Sequence, residues 1–258
     1  MKKSIIIGAV CMAAVASQAA PITWQSSVQM YQGTTSQTFV DTTGSLVLGF
    51  TGSATTTGNI TVNGVNFDYI DGAVLNGGYT DNGVTISSST VLGGHNTAFG
   101  DGSFDSDGNI YNLIASGMWG STTVSLSGLT VGQEYMFQIF VNDSRTSLGR
   151  DSDWQTGFTD GVGTGTGSIT GTASLNNRDP SDFSGETSGD YIIGTFTADA
   201  ATQSFETYGT SDGGATWTNS SRAQLNGLQI RAIPEPATLG LVAAFGGAVL
   251  FIRRRFMI

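Results

Sequence analysis

Residues 134–143 read EYMFQIFVND. In an extended chain Tyr135, Phe137, Ile139 and Val141 fall on one face, and Met136, Gln138 and Phe140 on the other. Both faces are largely apolar, which marks a central strand covered on its outer side as well as its inner one. The preceding TTVSLSGLTVGQ (122–133) alternates as well, Val124 and Leu126 against Thr123 and Ser125. Leu129 plugs the turn that follows, and Gly132 breaks it.

Further strand patterns occupy ITWQSSVQMY (22–31), GSLVLGF (44–50), NITVNGVNFDYI (59–70) and VTISSST (84–90). Others are GSITGTASL (167–175), YIIGTFTA (191–198), QSFETYG (203–209) and QLNGLQIRA (224–232). Asn63-Gly64, set between alternating residues, is a strong hairpin signal, with arms short enough for a local hairpin or a bulge. IYNLIAS (110–116) fits a short helix or another strand. Outside the two terminal segments no long stretch has a helical period, and strands recur at turn-bounded intervals. The expected fold is all-β, an antiparallel two-sheet sandwich of jelly-roll or galactose-binding-like type. The poorly patterned region 142–166 is expected to be an extended loop at one end of it.

Composition narrows the partners. Gly is 37 of 258 residues, about twice the usual ~7%, yet the regularly spaced β-branched and aromatic runs distinguish the chain from a disordered one. Residues 20–232 carry 19 Asp or Glu, five Arg and no Lys, a net charge of about −14. Phosphate backbones need clustered cations, so nucleic acid is excluded as a partner. The excess acid fits a solvated exported surface or sites for divalent cations.

Lys2 and Lys3, the apolar stretch Ile5–Ala16 and the small residues Ser17 and Ala19 form a secretory leader. The expected cleavage lies between Ala19 and Ala20, because a cut after Ala20 would leave Pro21 next to the scissile bond. The single cysteine, Cys11, lies inside this leader. The body therefore lacks cysteine, which rules out disulfides and thiolate metal sites there.

Two clusters could carry ligand chemistry. Asp105, Asp107 and Asn109 alternate within DGSFDSDGNIYN (101–112), offering three oxygen ligands to Ca²⁺. The EF-hand pattern fails, since Ile110 and Ser116 stand where Gly and Glu belong, and Asp, Asn and Gly are also ordinary turn formers. Asp151 and Asp153 before it and Asp160 after it surround Trp154 in RDSDWQTGFTDG (150–161). An exposed indole beside carboxylates suits a sugar ring; equally, Trp154 could anchor its own loop. His95 is the only histidine and lies in a glycine-flexed loop, so neither a Ser-His-Asp triad nor a histidine zinc site is indicated. No phosphate loop, dinucleotide fingerprint or other strong catalytic motif is present.

The chain closes with AIPEPATLGLVAAFGGAVLFIRRRFMI (232–258). Residues 237–252 are uncharged and as a helix would span about 24 Å. Arg253, Arg254 and Arg255 would hold the end on the cytoplasmic side. Pro-Glu-Pro, an apolar segment and a short Arg-rich end, in that order, resemble the PEP-CTERM sorting domain of exported bacterial proteins. The resemblance implies that Pro234, Glu235 and Pro236 are recognised by exosortase, a membrane transpeptidase-like sorting enzyme. It also implies an exopolysaccharide-producing source. Strand-rich ectodomains of the kind read above are similar to those carried by such tails.

The expected organisation is a signal peptide (1–19) with a signal helix, a β-sandwich ectodomain (20–231), and a sorting segment (232–258) with a single transmembrane helix. The protein would be held briefly in the inner membrane with its body outside, then reach the cell surface or extracellular matrix. The function read from this is non-enzymatic, with exopolysaccharide as a candidate ligand. The alternatives are a polysaccharide-active enzyme and a matrix component that self-associates through sheet edges.

Overall fold

A computed structural model describes residues 20–31, 37–53, 59–71, 74, 78–88, 109–114, 117–142, 155–159, 174–176, 187–210, 216–218 and 223–234. In chain order the strands are β1 (Thr23–Trp24), β2 (Val28–Tyr31), β3 (Ser45–Ser53), β4 (Ile60–Val62), β5 (Val65–Asp71), β6 (Tyr79–Asp81) and β7 (Val84–Ser88). Then follow β8 (Met118–Trp119), β9 (Thr122–Ser127), β10 (Glu134–Val141), β11 (Gln155–Phe158) and β12 (Ser174–Asn176). The last are β13 (Thr187–Thr197), β14 (Thr202–Thr210), β15 (Gln224–Leu225) and β16 (Gly227–Ile233). A 3-10 turn, η1 (Gln37–Phe39), and a short helix, α1 (Asn109–Ile114), complete the described elements.

One sheet has eight strands, ordered β1-β13-β10-β16-β3-β5-β4, with β2 also on β13; the other has six, ordered β12-β11-β14-β9-β7-β6. Strand β10 is central, as its sequence demands. Tyr135, Phe137, Ile139 and Val141 enter the core between the sheets, together with Ile86, Val124, Phe158 and Phe205 of the six-stranded sheet. The rings of Phe137 and Phe205 meet edge to face at 4.9 Å. Trp24 closes this cluster, 5.2 Å from Phe158 and 5.7 Å from Phe205. It fits because Gly194 lies beneath it, where a Cβ would come within 2.5 Å of the indole.

The outer side of the eight-stranded sheet is covered too. Phe140 packs with Phe67, Leu113, Ile114 and Val40 under α1 and η1. Beside them the cover is polar. Gln138 Nε2 donates to Phe39 O at 2.6 Å, while Gln138 Oε1 accepts from Asp41 N at 2.9 Å. Gln229 Nε2, opposite on β16, donates to Asp41 O and to Gln138 Oε1. Arg231 then donates to the carbonyls of Thr42, Thr43 and Gly44 and to Gln229 Oε1. Segment 40–44 pairs with no strand among the described residues, and these side chains bind Asp41 N and the carbonyls of Asp41, Thr42, Thr43 and Gly44 instead.

Asn63 and Gly64, at φ 49° and 74°, turn β4 into β5 with Val62 opposite Val65, the expected hairpin. Asn82 and Gly83 repeat the device between β6 and β7.

Three expectations are corrected. First, the sandwich is mixed rather than wholly antiparallel, because β3 and β5 pair in parallel, Phe50 opposite Asp68. The β4–β5 hairpin puts β4 at the sheet edge, so β5 meets β3 running in the same direction. Second, the stretch 142–166 is not all loop: β11 lies within it and pairs with β12 and β14. Its QTGF sequence has one large apolar residue and is too short to show a period. Third, the transmembrane helix is withdrawn, and with it the transient inner-membrane anchoring. Among the described residues no helix is long and apolar enough to cross a membrane. The segment to which that helix was assigned, 237–252, lies outside them, as do 1–19 with the expected signal helix.

The chain enters and leaves the sandwich at the same end. Ala20 N donates to Asp199 Oδ1 at 2.9 Å, and Gln203 Nε2 donates to Ala20 O. Next to Asp199, Ala198 N donates to Gln133 O at 2.9 Å, and the Gln133 side chain donates to Ile233 O. The first described residue and the last strand residue are thus joined through one short run of contacts.

Candidate functional site

The outer face of the six-stranded sheet follows from alternation in three strands, which in β14 ends at Thr207. Val84 and Ile86 of β7, Val124 and Leu126 of β9, and Phe205 of β14 point into the core. The residues between them point away from it: Thr85 and Ser87, Thr123, Ser125 and Ser127, and Thr202, Ser204 and Glu206, while the next alternate position of β14, Tyr208, is buried. Pairing aligns these into rows. Thr80, Thr85, Ser125 and Ser204 lie side by side across β6, β7, β9 and β14, as do Ser87, Thr123 and Glu206 in the next row.

Near one end of the face, Thr85, Ser125, Ser127, Thr202 and Ser204 line an open groove of about 270 Å³. Thr85 shares a hydrogen bond with Thr80 at 3.0 Å, and Ser127 donates to Gly83 O at 3.1 Å. The hydroxyls of Ser125, Thr202 and Ser204 make no bond to another described residue and are left to solvent.

Glu206 is the one charged side chain on the outward positions of β7, β9 and β14. Its Oε1 accepts from Thr123 Oγ1 at 3.3 Å, and its Oε2 from the Tyr208 hydroxyl at 2.5 Å. A carboxylate has about four lone-pair sites, so two acceptor positions remain. Opposite Tyr208 in the register stands Gly157 of β11. A Cβ on Gly157 would lie 2.6 Å from the six-membered ring of Trp217, so the half-buried indole rests on bare backbone there. Thr218, next to it, is fixed to Gly209 by two backbone hydrogen bonds, of 3.0 and 3.1 Å.

The clusters singled out in the sequence are only partly reached. Trp154, Asp151 and Asp153 lie outside the described residues, immediately before β11. Asp105, Asp107 and His95 are also outside; the backbone of Asn109 begins α1, settling 110–114 as helix. Among the described residues no group of three or more His, Cys, Asp or Glu could hold a metal ion. Of the sorting triplet, Pro234 directly follows β16, while Glu235, Pro236, Arg253, Arg254 and Arg255 lie outside. Ala19 lies outside and Ala20 is the first residue described.

The sequence favours Trp154, gives Trp217 a weaker case, and does not single out Tyr208 or Glu206. The Ser/Thr positions were visible in the TTVSLS, VTISS and TQSFETY alternations. Nothing in GGATWTNS (213–220) announces that its indole lies on the same face.

Comparison with known proteins found no matching family model, no similar curated protein and no similar solved structure.

Proposed function

We propose that this is an exported, non-enzymatic protein of the cell surface or extracellular matrix. Its C-terminal Pro234-Glu235-Pro236 is read by an exosortase-type enzyme, and its ectodomain binds polysaccharide. The observation that carries this reading is the shared end of the sandwich at which Ala20 and Ile233 sit, linked through Asp199, Ala198 and Gln133. Leader and sorting segment are then handled at one end of the sandwich.

A second feature restricts where processing occurs. Strand β16 pairs with β10 on one side and β3 on the other, then runs into Pro234 without a linker. A cut upstream of Ile233 would remove a central strand, so cleavage must fall at or beyond the triplet. Replacing Pro234-Glu235-Pro236 by alanines in the native host tests this. The expected outcome is an unprocessed, cell-associated chain; unchanged processing and release would refute the sorting role.

A further inference from the structure

We propose that the outer face of β7, β9 and β14, ending at Trp217, binds a neutral polysaccharide laid along β14. This rests on the polysaccharide-binding part of the function proposed above and assigns it a surface and a ligand class. Thr202, Ser204 and Glu206 are successive outward residues of one strand, with Tyr208 buried beyond them, so the track is about 13 Å long before it meets Trp217. It begins in the groove at Thr202 and Ser204 and ends beside the indole.

Charge selects the ligand. The outward positions of the three strands hold no cation for a sulfate or uronate, and the body's charge of about −14 repels polyanions. Hydroxyls both donate and accept, matching sugar hydroxyls, whose own dual character a carboxylate alone does not meet. Glu206 keeps two acceptor positions after binding Thr123 and Tyr208. Trp217 supplies the apolar platform for a pyranose face. A second copy of the chain is a poorer occupant, because the Ser/Thr rows would bury little apolar surface.

The test is affinity electrophoresis of the full chain in native gels containing a soluble neutral β-glucan, galactan or mannan, with a polyuronate as the anionic comparison. Retardation by at least one neutral polymer and none by the polyuronate is expected. Trp217→Ala should weaken binding on the order of tenfold, and Ser204→Val and Ser125→Val severalfold each, while Val131→Ser on the exposed β9–β10 turn changes nothing. Gly157→Ala, which pushes on the indole without removing it, should weaken binding as well.

Circular dichroism on each variant separates lost binding from lost folding. No retardation by any neutral polymer, or retardation that survives all four face variants, overturns the proposal. So does a concentration-dependent dimer that those variants abolish, since the face would then belong to a second copy. Binding in vitro is independent of processing in cells, so failure of the sorting role leaves this result readable.

Discussion

Gln138 and Gln229 stand directly opposite each other on β10 and β16, and Gln229 Nε2 donates to Gln138 Oε1 at 2.5 Å. Both are fully buried. With Arg231 they form a polar seam that holds segment 40–44 against the eight-stranded sheet. Gln138→Leu leaves Asp41 N and Phe39 O without their side-chain partner, and each stranded group costs about 1–3 kcal/mol. Urea denaturation should show a destabilisation in that range or above; an unchanged midpoint would mean that the seam contributes nothing.

Arg231 reaches the same segment with no carboxylate bonded to it. Burial lowers its pKa from the ordinary guanidinium value, and Asp41 opposes that shift. Arg231→Met removes the donors to Thr42, Thr43 and Gly44, and a loss of roughly 2–4 kcal/mol is expected. Limited proteolysis should then cut within 40–44 before the rest of the sandwich opens. Resistance equal to the parent chain's would contradict this role.

Gln224 is the reverse case. Its side-chain amide is buried, and among the described residues neither Nε2 nor Oε1 has a hydrogen-bond partner. An apolar replacement removes that penalty, so Gln224→Met should raise stability by about 1 kcal/mol. A lower melting temperature would show that the amide is satisfied in solution.

Two tyrosines set an alkaline limit. Tyr79 is raised by burial and then by Asp81 and Asp68, and Tyr191 by burial and then by Asp41. The folded state therefore disfavours both phenolates. Their contribution to stability is fully present below the unfolded value of about 10 and is lost as pH rises through the folded values. Phenolate absorbance should lag that of the unfolded chain, and the double Tyr79→Phe, Tyr191→Phe variant should lose stability less steeply above pH 10.

Much of the sandwich was legible in alternation. EYMFQIFVND identified a strand covered on both faces, and its covering is Phe140's cluster on one side and Phe137's on the other. Asn63-Gly64 identified a hairpin, and Asn82-Gly83 carried the same signal. Strand β11 was not legible, since Gly157 and Phe158 make no pattern and only pairing with β14 defines them. The parallel β3–β5 pair was hidden for a similar reason: direction within a sheet is set by which strands become neighbours, a long-range outcome. The hydroxyl face was half visible. Ser and Thr at alternate positions were plain, but the approach of Trp217 to Gly157 depends on a contact between residues about sixty apart in the chain.

The most direct measurement is intact-mass and terminal-peptide mass spectrometry of the form recovered outside the cell. The predicted result is an N-terminus at Ala20, its new ammonium beside Asp199, and a C-terminus at or beyond Pro234. Recovery of a chain that keeps both the leader and the intact 234–258 segment would contradict export and sorting together.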